Sequence, residues 1–265
     1  MKIPFVKAHG AHNDFLLTRR EQLPAGISDM AAAAQAICER HTGVGADGWI
    51  VIAKAAGADA SIELWNSDGS RSEMSGNGTR CAAAVLVDAG HASAEVAIAT
   101  GAGVKALRLL ERSGRKFTFE MNMGLASIED LDANLTPGRK GVVLNVGNPQ
   151  CALFVADFDW DWRTAGAAIE RDPRFPRRTN VSFVRVVDQH TLDVRFYERG
   201  AGETKSSGTG STGAVAAAIE CGLVTSPVRV LTEAGPLDLR VEGQDYLLAG
   251  PAEIVAVGEY YLHAR

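Results

Sequence analysis

The chain is poor in cysteine. Its 265 residues hold four, Cys38, Cys81, Cys151 and Cys221, and no two form a Cys-x-x-Cys pair. That spacing offers neither a zinc pattern nor a disulfide framework. No apolar run reaches the length of a membrane span, and the start, MKIPFVKAHG, lacks the apolar core of a signal peptide. Excess positive charge is missing too. A formal net charge of −5 argues against a nucleic-acid or anionic-membrane surface. The one basic knot, Arg171, Arg174, Arg177 and Arg178, is interrupted by Pro173 and Pro176 and reads as a solvated loop. His41, His91, His190 and His263 share no metal-ligand spacing, so neither metal nor cofactor is expected. A cytoplasmic enzyme is the default expectation.

What is present is a long series of short strand-like segments rich in Val, Ile, Leu and Phe, separated by turn residues. TLDVRFYER (191–199) alternates apolar and polar residues, as a half-solvated antiparallel strand does. Three helices stand out: SDMAAAAQAICERH with Ser28 as N-cap, GTRCAAAVLVDAGH and STGAVAAAIECGL. The last two are alanine-rich, apolar nearly all round and followed by Gly90 and Gly222, residues suited to a helix C-terminus. A helix apolar on every side is buried.

The same short loop precedes both. SEMSGNGTRC (72–81) and TKSSGTGSTG (204–213) each carry Ser-Gly-x-Gly, one in each half of the chain. Asn66 lies nine residues before Ser75, and Glu198 nine before Ser207. Asn13 follows HGAH, and Asn148 follows NVG at a similar place in the second half. An internal duplication accounts for these coincidences. The expectation is an α/β (α+β) protein of two pseudo-symmetric domains, each an antiparallel sheet wrapped around a central helix. The halves are drawn as residues 1–116, joined by the last strand at 254–265, and residues 117–253. They are expected to face each other across a cleft.

The glycines of both loops are expected to let the backbone turn sharply and approach a ligand. The first amides of each helix lack internal partners, and with the helix dipole they favour an anion such as a carboxylate. Neither loop ends in Gly-Lys-[Ser/Thr], so a Walker-type phosphate site is not indicated. Taken singly, Ser75 and Ser207 could be simple helix caps. As a pair, they suggest groups on opposite faces of one substrate carbon, one removing a proton and the other returning it.

At these residues the sequence resembles the diaminopimelate epimerases, pyridoxal-independent enzymes of lysine and peptidoglycan biosynthesis. The resemblance spans essentially the whole chain. It includes KAHGAHNDF (7–15), RHTGVGADG (40–48), NSDGSRSEMSGNGTRC (66–81), TGAG (100–103), NVGNPQC (145–151), RTNVSFV (178–184) and YERGAGETKSSGTGS (197–211). It implies a homodimer and a small substrate bearing carboxylate and ammonium groups. For binding it implicates Asn13, Asn66, Gly76, Asn77, Asn148, Gln150, Asn180, Glu198, Arg199, Gly208 and Thr209. Arg199 could grip a carboxylate bidentately, and Glu198 with the Asn oxygens could hold ammonium groups.

The family acts through two cysteines, a thiolate base and a thiol acid. Here those places hold Ser75 and Ser207, and Gln150 stands where the family usually has His. A hydroxyl is a far weaker acid than a thiol and needs an adjacent base, for which Glu198 and Glu73 are candidates. His12, beside Asn13, is a spare candidate base, with a loop role as the plainer reading. Cys81, within the second helix, reads as packing, and so do Trp160 and Trp162. Three functions remain open: epimerisation of diaminopimelate through hydroxyls, isomerisation of another small amino or carboxylic acid, and ligand binding without turnover, whether the serines arose by divergence or as replacements that trap substrate.

Overall fold

The computed structural model describes residues 1–136 and 138–262; His263 and the last two residues of the expected final strand lie outside them. The chain divides into two units, Met1–Met121 with the strand from Gly250 onward, and Asn122–Ala249.

In the first unit, β1 (Lys2–Gly10), β2 (Asn13–Arg19), β3 (Gly48–Ala55), β4 (Ala58–Asn66), β5 (Arg71–Ser72), β6 (Glu95–Thr100), β7 (Gly103–Ser113) and β8 (Lys116–Gly124) combine with the latter part of β17 (Asp245–Tyr261). The pairing runs β17–β1–β2–β3–β4–β6–β7–β8, and β8 also meets β17, so the strands close into a ring. Two neighbours, β2–β3 and β4–β6, are parallel. Each parallel step needs a crossover longer than a hairpin, and helices supply it. Helix α1 (Met30–Cys38) links β2 to β3, and α2 (Gly76–Asp88) links β5 to β6.

The second unit repeats the plan. Strands β9 (Ser127–Thr136), β10 (Arg139–Asn145), β11 (Pro149–Phe154), β12 (Asn180–Asp188), β13 (Thr191–Glu198), β14 (Gly202–Thr204), β15 (Val228–Thr232) and β16 (Gly235–Glu242) lead into the start of β17. Their order is β9–β10–β11–β12–β13–β15–β16–β17, with β11–β12 and β13–β15 parallel. The crossovers are α3 (Trp162–Glu170) and α4 (Gly208–Glu220). Strand for strand, β1–β4 correspond to β10–β13, and β6 to β15. Each sheet is therefore mixed, with two parallel neighbour pairs set among antiparallel ones.

Helices α2 and α4 occupy the middle of their units. Ten of thirteen residues are buried in each. α2 packs on β1, β2, β3, β4 and β6, and α4 on β10, β11, β12, β13 and β15. Alanine suits this place because its short side chain lets strands approach from every direction. Both helices end alike. Gly90 (φ +70°) and Gly222 (φ +68°) take the left-handed conformation. The amides of His91 and Leu223 then reach back to Leu86 and Ala218 (2.9 and 2.8 Å), closing a Schellman motif.

Two helix expectations change. The N-cap of α1 is Asp29, not Ser28: its carboxylate accepts from the Ala32 amide at 2.9 Å. Helix α3 goes beyond the sequence expectation; it is short and has charged residues at both ends, which mask its pattern. Asp161 caps it, and Trp160 and Trp162 pack their rings on Phe183 at centroid distances of 5.5 and 5.6 Å. Among the described residues, no helix is long and apolar enough to cross a membrane.

Candidate functional site

The repeated Ser-Gly-x-Gly loops make the same local structure twice. Ser75 (φ −130°, ψ 124°) and Ser207 (φ −139°, ψ 122°) are the N-caps of α2 and α4. The Ser75 hydroxyl accepts from the Gly78 amide, and that of Ser207 from the Gly210 amide, both at 3.1 Å. The amides of Gly76 and Asn77, and of Gly208 and Thr209, come before any helical carbonyl could accept from them.

The glycines serve a purpose other than the expected one. None of Gly76, Gly78, Gly208 and Gly210 has positive φ. A Cβ on Gly78 would stand 2.9 Å from Cδ1 of Ile50, and one on Gly210 would stand 2.7 Å from the Phe196 ring. The second glycine of each loop is thus there so that the sheet can close over the first helical turn.

In the first unit, a polar chain ties the loop to the β1–β2 hairpin. Asn77, 4% exposed, donates to Asn13 Oδ1 at 3.3 Å, and Asn13 donates to Asp47 Oδ2 at 2.7 Å. Asp47 in turn accepts from Arg40 at 2.7 Å. The hairpin tip, Ala11 and His12, holds two consecutive non-glycine residues at positive φ (49° and 61°), a costly backbone for side-chain-bearing residues. That turn delivers Asn13 to Asn77. His12 itself is exposed, its ring 6.0 Å from that of His9, and no hydrogen bond links it to Ser75. Asn66 stays apart: its side chain donates to Ser70 Oγ at 2.9 Å, within the β4–β5 turn. Glu73 is exposed and makes no hydrogen bond with Ser75. Among the described residues, Ser75 therefore has no hydrogen-bonded base.

The second unit gathers more. Ser207 donates to Glu198 Oε1 at 2.7 Å. Glu198 ends β13, as Asn66 ends β4. Burial pushes the Glu198 carboxyl above its ordinary range, and the Ser207 hydrogen bond opposes the shift. Gln150 donates to Asn148 Oδ1 at 2.7 Å, and Asn148 reaches Thr209 Oγ1 at 3.4 Å. The remaining oxygen of Gln150 is buried without a partner. Asn180 donates to the Pro149 carbonyl at 3.0 Å and accepts from the Arg199 amide at 3.0 Å. The Arg199 guanidinium donates to the Arg177 carbonyl at 3.1 Å.

That last contact gives part of the basic knot a supporting role beyond that of a solvated loop. Glu170, 2% exposed, accepts from Arg178 (3.2 Å), Arg171 (3.2 Å) and the Gly200 amide (3.2 Å). It ties the loop of Arg171–Arg178 to the turn that carries Arg199. Glu170, Asp47 and Arg80 are structural supports that the sequence pattern does not single out. Only Arg80 left a signal, as the one charged residue in an otherwise apolar stretch of helix.

None of the cysteines can replace the missing thiols. Cys38, Cys81 and Cys151 are buried, and burial pushes each thiol up to about 12. Cys221 is exposed, at the end of α4 opposite Ser207. Among the described residues, no group of three His, Cys, Asp or Glu side chains is placed to hold a metal ion.

Chemically, each unit presents an anion-ready helix start bordered by an Asn, and the second adds a hydroxyl–carboxyl pair. The chain is similar to curated diaminopimelate epimerases along nearly its whole length. It is 38% identical to that of Pelotomaculum thermopropionicum, covering 97% of this chain and 98% of the relative, and 35% identical to that of Moorella thermoacetica, covering 97% and 99%. Among solved structures, a PhzF-family phenazine biosynthesis protein from Bacillus anthracis matches with a TM-score of 0.73 at 14% identity, over 99% of this chain and all of that one. A hydroxyproline epimerase from Agrobacterium vitis, bound to trans-4-hydroxy-L-proline, matches with a TM-score of 0.71 at 16% identity, over 97% and 92%. These two share the fold. The diaminopimelate epimerase family itself matches residues 5–129 and 142–259, and the chain belongs to that family of isomerases.

Proposed function

We propose that this chain interconverts LL- and meso-diaminopimelate by moving a proton at the α-carbon, with Ser75 and Ser207 addressing opposite faces. The observation that carries this reading is the pair of identically capped helix starts in a chain that matches the family along most of its length. The amides that follow the two serines receive the carboxylate beside the reacting carbon. Asn13, Asn148, Gln150, Asn180, Glu198 and Arg199 hold the rest of the substrate, while Asn66 is held away by Ser70.

Removing the α-proton places extra negative charge on that carboxylate, and the helix starts stabilise it. Ser207 is the stronger base because its own proton can pass to Glu198 along the 2.7 Å hydrogen bond. The α-proton goes to Ser207 oxygen as Glu198 takes the hydroxyl proton. Ser75 then protonates the opposite face and regains a proton from water, and Glu198 gives its proton back to the hydroxide so formed, which returns both groups to their starting state. The reading brings with it the family's homodimer, a place in lysine and peptidoglycan biosynthesis, and a cytoplasmic setting.

A second reading has one observation in its favour, the lack of a base hydrogen-bonded to Ser75 among the described residues. It makes the chain an isomerase of another small acid, working mainly from the Ser207 face. Incubation with LL-diaminopimelate in deuterated water separates the two. Deuterium at the α-carbon together with meso product supports epimerisation. Tight binding without label, or no binding at all, removes diaminopimelate as substrate.

A further inference from the structure

Arg80 lies in the second turn of α2, wholly buried. Its Nε donates to the Pro251 carbonyl at 3.2 Å, and Nη2 donates to Asn77 Oδ1. Both acceptors are neutral. Among the described residues Arg80 forms no ion pair with Asp or Glu, and Nη1 has no partner. Burial lowers the guanidinium to about 10, which still leaves it charged at neutral pH. An uncompensated buried cation is costly, and natural cores pair such groups.

The surroundings are built for it. A Cβ on Gly250 would come within 2.8 Å of Arg80 Cζ, so glycine there makes the room. The unpartnered Nη1 lies 3.8 Å from the point a Cβ on Gly76 would occupy, directly behind the first residue of the helix. In α4, Thr212 stands at the equivalent place, and its hydroxyl is satisfied by the Gly208 carbonyl at 2.9 Å. The buried charge is therefore particular to one helix start.

We propose that Arg80 is the fixed counter-charge of the α2 half-site, a positioning residue that holds Asn77 and completes its own pairing only when a carboxylate arrives at the amides of Gly76 and Asn77. This rests on the site proposed above. It adds that the negatively charged end of the substrate is drawn first to the α2 side, which leaves the Ser207–Glu198 pair to handle the proton.

The test uses sodium acetate as probe on the full chain, at constant ionic strength, followed by nitrogen–proton correlation spectra. In the wild-type protein, the Gly76 and Asn77 amides and the Arg80 Nε–H signal shift together and saturate. Arg80→Gln weakens acetate binding by about tenfold, whereas Arg80→Lys keeps the charge and recovers most of the affinity. A folded Arg80→Gln protein that binds acetate as the wild type does overturns the proposal. So does saturation at Gly76 with an unmoved Arg80 signal, a wild-type measurement that decides the matter even where both variants fail to fold. Absence of acetate binding at α2 overturns it as well. Acetate binding that moves Arg80, in a protein that labels no α-carbon of diaminopimelate, upholds Arg80 and removes only the substrate assignment.

Discussion

The two units share strand order, parallel steps, serine caps and Schellman closes, yet their helix starts differ in charge. At the end of the equivalent strand, the first unit has Asn66 turned into its own hairpin, and the second has Glu198 bonded to Ser207. One turn into the helix, the first has a buried guanidinium and the second a satisfied hydroxyl. Beside the helix, the first presents the Phe15 ring to Gly78, and the second presents Gln150 to Gly213. The two helix starts are thus built alike but charged differently, one with a buried guanidinium beside its first turn and the other with a carboxyl bonded to its serine.

The largest expected effect breaks the comparison at the base. Ser207→Ala and Glu198→Gln each lower α-deuterium exchange about a thousandfold, the usual scale for losing a general base. Ser75→Ala keeps exchange within about tenfold of wild type but suppresses inversion, because the opposite face loses its proton donor. Mass spectrometry with chiral separation reads both quantities. Equal losses from Ser75→Ala and Ser207→Ala would mean the two faces are equivalent after all.

Restoring thiols sharpens the same comparison. In the double variant Ser75→Cys, Ser207→Cys, the helix starts draw each thiol below its reference pKa of about 8.5, which a hydroxyl cannot match. Exchange rises by about tenfold or more, and the ratio of exchange to inversion falls, since the first unit gains a group that titrates without a partner. No gain would place the limitation elsewhere, with Gln150 the first residue to change.

The next effect concerns stability. Gly210→Ala drives a methyl into the Phe196 ring at 2.7 Å, while Gly78→Ala meets the terminal carbon of Ile50 at 2.9 Å. An aliphatic tip can rotate away, but a ring packed in a sheet cannot. Both variants overpack the core, at about 1–3 kcal/mol, with Gly210→Ala at the upper end. Urea unfolding gives the order.

Much of this plan was legible in residues. The alanine runs, the glycines after them and the doubled Ser-Gly-x-Gly announced two buried helices with the same start. The serine caps follow from their place before the first turn. Other features were hidden because they are made by tertiary contact. Nothing near Ser28 says that Asp29 wins the cap of α1. Glycine in a loop suggests backbone freedom, whereas Gly78 and Gly210 are required by side chains some thirty and fourteen residues away in sequence. The choice of Glu198 over Glu73 as the partner of a serine depends on which strand end faces the cap, and no spacing along the chain contains that. Asn66 shows the converse: its place in the repeat matches Glu198, but a nearby Ser70 captures its side chain.

The smallest effect tests Glu198 through stability. The ordinary value for its carboxyl is 4.5, and in the folded protein burial raises it. The folded state therefore holds that proton more tightly than the unfolded chain does. Stability from this group is fully present below the unfolded value and is lost as pH rises through the folded one. Glu198→Gln cannot titrate. Its melting temperature relative to wild type should climb with pH from about the unfolded value and level off once the wild-type carboxyl is ionised, even as catalysis disappears. Ser75→Ala is the control from the other unit. It removes a cap worth about 1 kcal/mol and should lower the melting temperature by the same amount at every pH. A flat Glu198→Gln difference would mean that the carboxyl beside Ser207 is no less at ease ionised in the fold than in water, and the asymmetry between the two helix starts would lose its electrostatic basis.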